Sequence, residues 1–129
     1  MTDLNLLDGT TEFMRKAGQN VDGGEFFDPG ASHLRWKLLD EEFAEYVDGE
    51  IDKDLVKTVD GLLDVIVVAW GSLLAYVGEE KAKAAAAEVV RSNLDKVKDG
   101  VRRREDGKIL KPANWEPPKI AEAIGMDGE

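Results

Sequence analysis

The sequence predicts an all-α fold, and three observations carry the prediction. Trp36, Leu39, Phe43 and Tyr46 recur at three- and four-residue steps, which places them on one helical face. The stretch Leu62 to Val77 is apolar on nearly every side, as expected of the central member of a helical bundle. Ala82 to Ala87 combines high helix propensity with small side chains that favour tight packing. Strand signals are nearly absent.

In chain order, Leu4 to Ala17 reads as a first helix with a break at Gly9. Gly18 to Gly30 is a polar, glycine-rich connector holding Phe26, Phe27 and Pro29. A second helix is expected over about Ser32 to Val47, closed by Gly49. Asp52 is its successor's expected N-cap, and that third helix runs to about Val77 and ends at Gly78. On it Asp60, Asp64, Val68, Gly71 and Ala75 share a stripe that a neighbour can approach closely. Glu79 to Val97 is a fourth helix. A turn-rich tail follows, with Asp99-Gly100, Arg102-Arg103-Arg104, Asp106-Gly107-Lys108, Lys111-Pro112 and Pro117-Pro118, and a short terminal helix over Ile120 to Ile124.

A length of 129 residues suits one domain over 1-129, with a helical core at about 4-98 and the tail at about 99-129. The absence of cysteine and the single histidine exclude disulfides, thiolate zinc sites, cysteine nucleophiles and multi-imidazole zinc. A net charge of -10 argues against direct DNA or RNA binding, where basic patches dominate affinity. It leaves room for small phosphorylated ligands, because a bound cation and a few placed lysines reverse the local field. The opening Met1-Thr2-Asp3-Leu4-Asn5 lacks the basic and apolar regions of a leader. The long apolar run carries Asp64 and falls short of the ~20 residues of a membrane helix. These features predict a soluble, cytoplasmic protein with no membrane contact.

The chemistry is concentrated in carboxylates. Glu41, Glu42 and Glu45 flank the apolar face of the second helix, and Asp64 stands alone in an apolar stretch about twenty residues later. A buried carboxylate is costly unless it is paired, hydrogen-bonded or on a metal. The pattern therefore predicts a divalent-cation site with oxygen ligands, of the kind that handles phosphate.

Leu34-Arg35-Trp36-Lys37-Leu38-Leu39-Asp40-Glu41-Glu42-Phe43-Ala44-Glu45 resembles the signature helix of the MazG-like all-α nucleoside triphosphate pyrophosphohydrolases, whose motif is E-E-x-x-E followed by E-x-x-D. Asp60 to Val68 is similar to the second motif helix. Ser92-Asn93-Leu94-Asp95-Lys96, Asp106 to Pro112 and Asn114-Trp115-Glu116-Pro117-Pro118 resemble the S-N-x-x-K and D-G-K-x-x-K…P-P segments of the branch similar to phosphoribosyl-ATP pyrophosphohydrolases. The resemblance covers about Phe13 to Ile120 and implies a four-helix-bundle-like fold of MazG type with an irregular C-terminal tail.

It also implies Mg²⁺-dependent hydrolysis between the α- and β-phosphates, giving a nucleoside monophosphate and pyrophosphate, with Mn²⁺ as a substitute cation. Glu42, Glu45 and Asp64 are the implied metal ligands. Gly61 stands where the family pattern has Glu, and Asp60, one residue earlier, is the candidate replacement ligand. Glu41 or Glu42 is the implied general base. Asn93 and Lys96 become sugar or phosphate contacts, Lys108 and Lys111 phosphate contacts, and Trp115 either packs or stacks on a base. The family further implies a homodimer or homotetramer with the site near a subunit interface. Two rival readings stand beside this one: hydrolysis of phosphoribosyl-ATP or a modified nucleotide, and a non-catalytic acidic helical module that binds a partner protein. His33 and Arg102 to Arg104 read as surface residues, the arginines countering an acidic neighbour, and Trp36 and Trp70 as core.

Overall fold

The computed structural model describes residues 4–126; Met1 to Asp3, the first residues of the polar opening stretch, lie outside the described residues. The fold is all-α. Its helices are α1 (Leu6–Lys16), α2 (Pro29–Asp52), α3 (Leu55–Val77), α4 (Glu79–Asp95) and α5 (Ile120–Ala123). Among the described residues there is no strand, only an isolated antiparallel bridge between Arg103 and Ile109. The chain divides into two compact units, one up to Glu79 and one from Glu80 onward.

In the first unit, Asn5 caps α1 by accepting from the Asp8 N–H. Gly9 does not break this helix, and its N–H bonds the Asn5 carbonyl at 2.8 Å as helical geometry requires. Thr11 and Met14 point inward, and Trp70 of α3 donates its indole N–H to Thr11 Oγ1 at 2.9 Å, which satisfies a polar atom inside the core. The connector after α1 runs beside the end of α3, where Gly24 and Glu25 donate to the Tyr76 and Ala75 carbonyls.

The second helix is longer than its periodicity suggests. Asp28 accepts from the Gly30 and Ala31 N–H groups, Pro29 opens the helix, and the helix runs through Gly49 to Asp52. Lys53 closes it in the left-handed region at φ 54°, with Asp54 N–H reaching back to the Gly49 carbonyl. The N-cap of α3 is Asp54, which accepts from Lys57 N–H, and not Asp52. Asp52 instead pairs with the Lys57 ammonium at 3.1 Å.

Gly49 and Gly61 are where α2 and α3 touch. A Cβ on Gly49 would lie 2.8 Å from the Thr58 backbone nitrogen, and one on Gly61 would lie 2.7 Å from the Tyr46 Cα. Both glycines are used for antiparallel backbone contact, so Gly49 looks like a stop signal in the sequence yet sits inside the helix. Trp70 is core at 4% exposure, as expected, but Trp36 is not: at 57% it lies on the surface, its ring edge-on to exposed His33. Phe43 is likewise exposed, so the apolar face of α2 is only partly covered by its own chain.

In the second unit, α4 ends at Asp95, one half-turn before the expected Val97. The tail turns back at Asp106-Gly107, where Asp106 accepts from Arg104 Nε and from the Lys108 N–H. Trp115 donates its indole N–H to the Ser92 carbonyl at 2.6 Å, which pins the returning tail to α4.

Candidate metal centre

The α2–α3 hairpin brings together carboxylates that are far apart in sequence. Glu42 and Glu45 lie three residues apart on α2 and so project from the same side. The close crossing at Gly61 carries Asp64, one turn later on α3, to meet them. One carboxylate oxygen from each of Glu42, Glu45 and Asp64 lies within 4.8 Å of the other two. Glu42 and Asp64 are half-buried and Glu45 is exposed, so Asp64 is not the fully buried acid that its apolar neighbours suggest. The physical reason is that α3 is covered on only part of its circumference.

Packing negative charges this closely opposes their ionisation. The Glu42 carboxyl is pushed up to about 7, first by the hydrogen bond it shares with Glu45, then by loss of solvent and by the charges of Asp64, Glu45 and Glu41. Asp64 is raised by burial first, then by Asp60 and Glu45. The donor set consists of oxygens from three acids, hard ligands that fit a hard divalent cation.

Asp60 is exposed and outside this converging group; it acts on Asp64 through its charge. Glu41 is exposed and likewise outside it. No side chain at position 61 fits against the Tyr46 backbone, which explains why this chain has glycine there.

The residues expected to contact substrate lie in the second unit. Asn93, Lys96, Lys111 and Trp115 come together: Lys96 Nζ bonds Asn93 Oδ1 at 3.2 Å, and the Lys96 and Lys111 ammoniums each lie 5.1 Å from the centroid of the Trp115 ring. Lys108 is exposed on the Asp106-Gly107 turn, where its backbone N–H donates to Asp106 Oδ1.

Sequence reasoning missed Arg91. Its guanidinium bonds Glu88 at 2.9 Å and Asp95 at 3.0 Å, and also reaches the Glu116 and Pro117 carbonyls of the tail. Glu88 in turn accepts from the Lys119 N–H. Arg91 and the Lys119 N–H pull the Glu88 carboxyl down to about 2. The available signal was the spacing Glu88, Arg91, Asp95, which lines up alternating charges on one helix face.

No family matches this chain when it is compared with known protein families, and no curated protein matches it.

Proposed function

We propose that this chain is a divalent-metal-dependent nucleotide pyrophosphohydrolase of the MazG-like kind, which cleaves a nucleoside triphosphate between its α- and β-phosphates to give the monophosphate and pyrophosphate. The observation that carries the reading is the convergence of Glu42, Glu45 and Asp64 from two helices onto one point. In this reading the three acids hold Mg²⁺, or Mn²⁺ in its place. The bound cation supplies Lewis acidity toward phosphate oxygens and lowers the pKa of water near it. Glu42 is then used as a ligand, and the exposed Glu41 beside it is the carboxylate left to take the proton from the attacking water. The new bond forms between that water oxygen and the α-phosphorus, and the bridging oxygen leaves with pyrophosphate.

The test is product analysis by chromatography over a panel of canonical and modified nucleotides, phosphoribosyl-ATP among them, with Mg²⁺ and with EDTA. Metal-dependent pyrophosphate with a monophosphate is the expected result; orthophosphate alone, or indifference to EDTA, defeats the reading. Inactivity on every nucleotide would favour the partner-binding module, which the absence of an acid at position 61 supports.

The same reading includes a homodimer or homotetramer. Only 28% of the most apolar stretch of α3 is buried within the chain, which leaves Leu62, Leu63, Ile66 and Leu73 more than 40% exposed. At 23 residues α3 is longer than the apolar run read from the sequence, so by length and composition, contrary to that expectation, it is able to cross a membrane, a property that core helices of soluble proteins share. An apolar surface of this kind is suited to covering by a second copy around a two-fold axis. Light scattering after size exclusion is expected to give at least the mass of a dimer, and a clean monomer mass would remove this part of the proposal.

A further inference from the structure

A cavity of about 260 Å³ opens beside the N-terminal half of α2, wholly within the first unit. Met14, Ala31, Leu38 and Ala75 supply apolar wall, and Arg35 and Glu25 supply its charged groups. Arg35 is half-buried; its Nε donates to Ser72 Oγ at 3.0 Å and its Nη2 to the Val68 carbonyl at 3.1 Å. A guanidinium has five N–H donors. Three of them therefore have no partner among the described residues. Burial lowers the Arg35 pKa, and Tyr76 and Glu25 oppose that shift.

Glu25 is fixed by its backbone bond to Ala75 and by Asn20, which donates to Oε2 at 2.8 Å. Its other oxygen has no partner among the described residues. The cavity thus offers apolar wall, a spare donor and a spare acceptor, with the two charges opposing each other. That combination suits a neutral, planar heterocycle carrying an acceptor and an N–H, more than an anion, which Glu25 would repel. The volume lies just under the ~300 Å³ lower end of small-molecule sites, enough for one ring system and too small for a whole nucleotide.

Its position matters as much as its lining. Ala31, Arg35, Leu38, Glu42 and Glu45 follow one another at three- and four-residue steps, so the cavity and the carboxylates lie along one face of α2. Leu38 is one turn from Glu42, and Arg35 is about 10 Å of helix rise from it. We propose that this cavity is a nucleobase subsite, with Arg35 donating to a ring acceptor and Glu25 accepting a ring N–H. The assignment of a nucleotide as the ligand rests on the reading of the carboxylates as its phosphate-handling end.

The test is calorimetric binding of free nucleosides to the full chain in EDTA, so that neither metal nor phosphate contributes. At least one nucleoside is expected to bind saturably. Arg35→Met is expected to weaken it at least about tenfold, as loss of a charged hydrogen bond does. Because Arg35 also ties α2 to α3, Ala31→Phe serves as a second variant; it fills the cavity while keeping both Arg35 bonds, and it is expected to abolish binding. Glu25→Gln is expected to change the order of preference among bases, and Asp64→Asn to leave nucleoside binding unchanged. The proposal is overturned if no nucleoside saturates, if Ala31→Phe binds as well as the parent, or if inorganic phosphate binds in an Arg35-dependent way, which would make the cavity an anion pocket. Nucleoside binding without any hydrolysis would count against the hydrolase reading alone, and hydrolysis without nucleoside binding against this proposal alone.

Discussion

Glu42, Glu45 and Asp64 on the α2–α3 hairpin and Glu88, Arg91 and Asp95 on α4 are both built largely from charged residues at helical steps, yet Glu42 and Asp64 in the first are shifted opposite to Glu88 in the second. In the first group acid meets acid, and the Glu42 carboxyl rises to about 7. In the second a guanidinium stands between two acids, and the Glu88 carboxyl falls to about 2. A charge that is neutralised by its own chain holds structure together, here the tail against α4. Charges left to repel one another keep that repulsion available for a ligand that relieves it. The chemistry of a helix face is therefore decided by what faces it, and the two regions can be separated by experiment.

The largest difference is expected from the ligand charges. Asp64→Asn and Glu45→Gln keep side-chain shape and remove a negative charge, so each is expected to lower pyrophosphate release by at least about 100-fold, at the upper end of what is seen for residues that only support a metal ligand. The helical circular dichroism signal should persist. Glu41→Gln should lose turnover while keeping Mn²⁺ affinity, measured by titration of the free ion. Near-normal turnover in Asp64→Asn would make Asp64 structural and dissolve the contrast.

A second, intermediate effect concerns pH. A carboxyl whose pKa moves from its ordinary 4.5 to about 7 holds its proton more tightly folded than unfolded. Between those values the folded state carries the extra proton, so its contribution to stability is full below the lower value and is lost as pH rises through the upper one. Without metal, Tm is expected to fall between about pH 5 and about pH 8, and to fall less in Glu42→Gln. Since the acidic chain repels itself more as pH rises, the difference between parent and variant is the measurement that isolates Glu42. Mg²⁺ or Mn²⁺ should raise Tm at the higher pH and much less at the lower. An identical Tm profile for parent and variant would show that the repulsion is not felt.

The smallest and most local effect belongs to the neutralised group. Arg91→Met should free Glu88 and Asp95 from their partner and loosen the tail at Glu116 and Pro117. Tryptic cleavage after Lys119 is expected to become several-fold faster, with Mn²⁺ affinity unchanged. A loss of Mn²⁺ affinity would mean that the two regions are not independent.

The helical segments, and the candidacy of Glu42, Glu45 and Asp64 as ligands, were legible in the sequence alone, because periodicity, capping and spacing are local properties carried by neighbouring residues. The three-residue step of Glu42 and Glu45 and the isolation of Asp64 among apolar residues were legible for that reason. Only the tertiary structure decided what each glycine is for: Gly49 and Gly61 mark a backbone crossing, and a missing side chain in a sequence reads equally well as a stop or a contact. It also decided that Asp60 stays outside the group that Asp64 joins, that Trp36 faces outward while Trp70 faces inward, and that Arg91 draws in the tail at Glu116 and Pro117. Each of these depends on residues distant in the chain, and the strength of a charge or of an apolar contact depends on the distance and solvent between such residues, which spacing along one helix does not contain.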